Sequence, residues 1–94
     1  MKTVWKFPLQ LTDEQTIEMP FGSKILHVGE EASKSSIGGS EFAIWAQVNT
    51  SVKYNMKHRI YIVGTGQKMP DNEVSYIGTF ISGKFVWHVF ENLL

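Results

Sequence analysis

Ninety-four residues make one domain of a size that folds on its own, and 43% hydrophobic content is that of a globular chain rather than a disordered one. Nine Lys and Arg balance nine Asp and Glu, which excludes the broad basic surface that generic nucleic-acid binding requires and does little to keep copies apart. With no cysteine, disulfides, Cys-ligated metal and Cys nucleophiles are excluded together.

Residues 3–8 read as a first strand, with Trp5 and Phe7 on one face, Val4 and Lys6 on the other, and Pro8 closing it or placing it at an edge. Residues 11–14 form a turn. Residues 15–19 and 24–28 are strands joined by Pro20-Phe21-Gly22-Ser23, so 15–28 reads as a hairpin. Residues 29–41, small, polar and rich in Gly and Ser, read as a flexible loop. Residues 41–49 alternate clearly, with Phe42, Ile44, Ala46 and Val48 opposite Ala43, Trp45 and Gln47. A polar connection over 50–57 leads to a strand at 58–63, which ends at Gly64-Thr65-Gly66. After a loop containing Pro70, the strands 74–81 and 85–91 pair through Ser82-Gly83-Lys84. In the last strand Val86, His88 and Phe90 oppose Phe85, Trp87, Val89 and Glu91. Both faces are too apolar for open water, so this strand is expected to be central or at an interface.

The expected architecture is therefore all-β: one domain over 1–94, a small antiparallel β-sandwich or partly open barrel of about seven strands. No apolar run approaches 18 residues, which predicts no transmembrane helix, and the first eight residues lack the apolar core of a signal peptide.

The residues offer little catalytic chemistry. His27, His58 and His88 fall on three strands without metal-ligand spacing, so no metal and no cofactor is expected, and His88 reads as a satisfied core histidine. No nucleophile motif is present, and most carboxylates sit in turns, so no enzyme is expected. Gly64-Thr65-Gly66 is either a structural turn or a backbone nest for an anion. Trp5, Trp45 and Trp87 are either core anchors or stacking surfaces. Trp45, beside Ala43 and Gln47, is the best candidate for a pocket or interface wall. Arg59, the single arginine, opens the strand that leads to the Gly64 turn, and Lys68 follows it.

Several segments occur together in one order: Val4-Trp5-Lys6-Phe7-Pro8-Leu9, Thr12 to Gly22, the Gly64 turn, Tyr76-Ile77-Gly78-Thr79 and the ending Phe85 to Glu91. The combination resembles a family of short proteins found mainly in bacteriophages and prophages and described only as a domain of unknown function. The resemblance carries a setting and no chemistry. It implies a counter-defence factor in the cytoplasm of an infected bacterial host. The leading expectation is a non-enzymatic homo-oligomer that sequesters a small anionic, nucleotide-type immune signal. The ligand-binding residues would be Trp45, Arg59, Gly64, Thr65, Gly66, Lys68, Trp87 and His88. The alternatives are a protein–protein inhibitor of a host defence enzyme, anti-CRISPR-like, that uses an exposed β edge or the 29–41 loop, and a minor virion or assembly protein.

Overall fold

The computed structural model describes residues 1–31 and 42–93. Seven strands follow one another: β1 Lys2–Leu9, β2 Glu14–Pro20, β3 Lys24–Glu30, β4 Phe42–Asn49, β5 Asn55–Gly64, β6 Val74–Ser82 and β7 Phe85–Asn92. They form two antiparallel sheets, a three-stranded one in the order β1-β4-β3 and a four-stranded one in the order β2-β5-β7-β6. The sheets pack face to face without closing into a barrel. The smallest dimension of the molecule, 19 Å, is that of two layers about 10 Å apart with their outer side chains.

The expected sandwich and the central position of the last strand are both present: β7 lies between β5 and β6. The β6–β7 hairpin is closed by Gly83 at φ 60° followed by Lys84 at negative φ, which is the type II′ geometry whose twist matches the flanking strands.

The expected hairpin over 15–28 does not form. β2 pairs with β5 and β3 pairs with β4, so residues 20–23 cross from one sheet to the other. The turn itself is tight, with Ser23 N donating to Pro20 O at 3.1 Å. Phe21 N, however, donates to Tyr54 O at 3.0 Å, tying the turn to the β4–β5 connection, where the chain also changes sheets. Two boundaries also move. β3 runs through Gly29 and Glu30, so the expected 29–41 loop starts later, and its residues 32–41 lie outside the described residues. β5 starts at Asn55 rather than at His58, because Asn55 to Lys57 find partners in Pro20 to Glu18.

The core follows from the alternation. Leu9, Met19, Ile44, Val48, Ile60 and Val89 are fully buried between the sheets, each stabilising the fold by about 1.5–3 kcal/mol relative to exposure. Phe42 and Phe80 stack across the gap at 4.5 Å. On that side the edge strands β3 and β6 approach each other closely. Gly78 makes this possible: a Cβ there would meet Val28 Cγ1 at 2.8 Å. The β1 and β2 side is open. Trp5 shares the inner face of β1 with Phe7 and Leu9, yet remains 42% exposed.

Candidate functional site

Of the side chains singled out above, the outer face of the four-stranded sheet holds Arg59 and His88. β5 places Arg59, Tyr61 and Val63 there, β7 places Val86, His88 and Phe90, and β6 places Tyr76, Thr79 and Ile81. His88 is not a core residue. Strand alternation turns Trp87 and Val89 inward and His88 outward, where both its ring nitrogens are engaged. Nε2 shares a hydrogen bond of 2.8 Å with Thr65 Oγ1, and Nδ1 one of 3.1 Å with Thr79 Oγ1. Thr79 Oγ1 in turn meets the Tyr76 hydroxyl at 2.6 Å. This polar chain ties β6, β7 and the turn after β5 together. Tyr76 meets Phe90 edge-on, with ring centroids 5.7 Å apart.

Residues 64–67 form a closed type II turn. Gly66 at φ 89° supplies the left-handed position, and Gln67 N donates to Gly64 O at 3.0 Å. Thr65 N donates to Val86 O at 3.3 Å, and Gly64 N to Gln67 Oε1 at 2.8 Å. Three of the four amides of an anion nest are therefore already used inside the protein.

Several recesses open along this sheet. One of about 390 Å³ is lined by Gly64, Thr65, Gln67, Lys84, Phe85 and Trp87. It brings Gly64, Thr65 and Trp87 together as expected and adds Lys84, a turn residue whose position only the hairpin geometry reveals. The Trp87 ring lies against Gly64 and Gln67 and beside Phe85 at 5.8 Å, and its Nε1 is buried without a partner. A second recess of about 470 Å³ holds Lys68. Asp13, Glu14 and Asp71 share it, so its field is acidic, and Lys68 faces Asp71 at 3.8 Å. A groove of about 280 Å³ at the other end holds Arg59 with Ser75 and Glu91.

Arg59 does not join the Gly64 turn. Five steps along the strand separate them, roughly 17 Å. Its Nε donates to Glu14 Oε2 at 2.7 Å, and its guanidinium lies 5.9 Å from the Tyr61 ring centroid. The hydrogen bond and charge of Glu14 hold the Arg59 proton more tightly than in an isolated arginine. Trp45 lies on the outer face of the other sheet, opposite Lys6 and His27 in register and 5.5 Å from the His27 ring. The eight expected residues thus divide among four places.

One polar pair lies between the sheets. His58 is buried, bonds Glu91 through Nδ1, and leaves Nε2 without a partner. Among the described residues, no three His, Cys, Asp or Glu lie close enough to hold a metal ion, and no helix is long and apolar enough to cross a membrane.

The family described as "Domain of unknown function (DUF7352)" matches residues 1–93. No curated protein and no solved structure is significantly similar to the chain.

Proposed function

We propose that this chain, which belongs to the family defined by that domain of unknown function, is a non-enzymatic protein-binding module. Its contact surface is the β6–β7 hairpin. One observation carries the reading. The hairpin leaves Tyr76 61% and Ile81 64% exposed on its outer face, beside Val86 and Phe90, and Phe85 64% exposed on the opposite face at its tip, with Lys84 and Glu91 its only charged residues apart from His88. Exposed apolar side chains with few charges among them mark a protein contact, and tyrosine is enriched in binding hot spots. The Tyr76–Thr79–His88–Thr65 bonds hold this surface rigid, which lowers the entropy lost on docking. In the phage setting that the resemblance implies, the partner is a host defence protein.

Capture of an anionic nucleotide-type signal gains less support. That ligand needs converging positive charge and free donors. Arg59 is paired with Glu14 far from the turn, Lys68 sits among carboxylates, and three of the four turn amides are occupied. Lys84 beside Phe85 and Trp87 is the feature that still favours it.

The test pairs two measurements. Ile81→Glu and Phe85→Glu change exposed side chains, so both variants should keep the wild-type melting temperature. Tagged wild-type protein is cross-linked in a bacterial host, and the captured protein is then purified and titrated against both variants. Affinity should fall at least about tenfold, roughly 1.4 kcal/mol. Unchanged affinity in both variants removes the hairpin as the contact surface. Calorimetric binding of ATP or a cyclic dinucleotide below about 10 μM, lost on Lys84→Ala, replaces the reading with ligand capture.

A further inference from the structure

We infer that two copies of this chain form a two-fold dimer in which β1 of each pairs with β2 of the other, extending both sheets across the open side of the sandwich. This surface shares no residue with the β6–β7 hairpin, and the inference stands or falls separately from the proposed function.

Four strands lie at sheet edges: β1 and β3 in one sheet, β2 and β6 in the other. β3 and β6 cover each other at the closed side. Among the described residues β1 and β2 remain as open edges, each with a row of backbone donors and acceptors available for pairing. Between them the sandwich is unfinished. Trp5 points inward from β1 and is still 42% exposed, and Phe7 and Ile17 are only partly buried against the core. An inward-facing tryptophan left open calls for a cover.

The charges on the two edges say what the cover is. The outer face of β1 carries Lys2 and Lys6, and the outer face of β2 carries Glu14 and Glu18. Both pairs have a spacing of four residues. When β1 is laid antiparallel to β2 of a second copy, one register places Lys2 opposite Glu18, Val4 opposite Thr16 and Lys6 opposite Glu14. Opposite charges directly across an antiparallel pair stabilise it, and like charges destabilise it. β1 against β1 in the same way sets Lys2 against Lys6, and β2 against β2 sets Glu14 against Glu18, so each edge rejects itself and accepts the other. Among the described residues Lys2 and Glu18 form no ion pair, although Glu18 has Lys57 opposite it in register, so the partner offers each a new one. Lys6 already meets Glu31 and Glu14 already meets Arg59.

Two more features fit. Pro8 and Pro20, which cannot donate a ladder hydrogen bond, fall just outside the paired segments 2–6 and 14–18. β1 and β2 belong to different layers, so a two-fold axis along the strands brings the three-stranded sheet of one copy level with the four-stranded sheet of the other. Both junctions then form at once, and the contact closes as a dimer rather than running on as a filament. The two Trp5 rings become enclosed between continuous seven-stranded sheets.

The experiment is a light-scattering mass measurement on the wild-type chain and two charge-reversal variants, Lys2→Glu and Glu18→Lys. Both positions are exposed, and circular dichroism checks that each variant keeps its strands. The wild type should show twice the 10.7 kDa chain mass. Each variant alone should dissociate with a dimer Kd at least about tenfold weaker, because each dimer contains two reversed pairs. An equimolar mixture of the two variants should dimerise again, since both junctions regain opposite charges. A second measurement does not rely on charge. Val4→Cys with Thr16→Cys in one chain, which has no other cysteine, should oxidise to a covalent dimer, because directly opposed strand residues lie within disulfide reach. A monomeric wild type at about 200 μM, well above a micromolar Kd, overturns the inference. So does a dimer that neither reversal weakens, or a mixture that stays monomeric.

Discussion

Gly78→Ala tests how the sandwich is closed. Gly78 has no positive φ, so alanine suits its backbone. On that ground alone the substitution should stabilise the protein by about 0.4–1 kcal/mol, through a less flexible unfolded chain. The packing opposes this. The added Cβ lands 2.8 Å from Val28 Cγ1, well inside van der Waals contact. Val28 is buried and β-branched, with little freedom to turn away. Overpacking of a tight core costs about 1–3 kcal/mol, so the net should be a loss of about 0.5–2 kcal/mol. Val28→Ala removes the obstructing methyl at its own cost of about 1.5 kcal/mol or more, two methyl groups at about 0.8 each plus a small cavity. In that background Gly78→Ala should become neutral or stabilising, which gives a coupling energy of about 1 kcal/mol or more. Urea denaturation followed by tryptophan fluorescence on all four proteins measures it. Equal cost in both backgrounds, or a stabilising Gly78→Ala in the wild type, would refute the claim that Gly78 exists to let β6 approach β3.

Trp87→Ala should cost about 3 kcal/mol, the low end for aromatic truncation, because the ring is only part-buried against the core; denaturation midpoints at constant m-value check this. Gly66→Ala should destabilise by about 1–2 kcal/mol, since it forces an L-residue to a φ of 89°, and a neutral result in the same assay would show that the turn relaxes into another type. Arg59→Ala should leave the melting temperature nearly unchanged, because the Arg59–Glu14 pair is exposed. The raised Arg59 pKa adds a sign: the stability it carries is lost only as pH rises through that value, so no step from this residue should appear between about pH 6 and about pH 10.

Much of the fold was legible because strand alternation is a strong code. Phe42, Ile44, Ala46 and Val48 read as one buried face and are one. Gly83 read as a hairpin turn and closes one. What alternation encodes is the face that is buried, not the neighbour that pairs. Pro20-Phe21-Gly22-Ser23 has the same turn chemistry whether the chain doubles back in one sheet or crosses to the other, and the hairpin reading of 15–28 failed for that reason. The last strand shows a second limit. With Val86 and Phe90 on one face and Trp87 and Val89 on the other, apolarity alone does not tell inside from outside, so His88 read as core and lies outside. For the site, membership of one strand was a poor guide to proximity: Arg59 and Gly64 share β5 but are separated by half its length.

The charges on β1 and β2 show what the topology adds. Lys2, Lys6, Glu14 and Glu18 are visible in the sequence at matching four-residue spacing. Charged residues on a strand face ordinarily mean solvation, and without a strand order they mean nothing more. Once β1 and β2 are the two open edges of different sheets, the same residues acquire a second reading. An edge protected only against aggregation is served by charge of either sign. Here the only charged residues on the outer face of one edge are lysines and on the other glutamates, at a spacing that matches in the antiparallel direction, beside an inward tryptophan the monomer leaves open. Protection alone does not require the opposite signs or the shared register; pairing between two copies requires both.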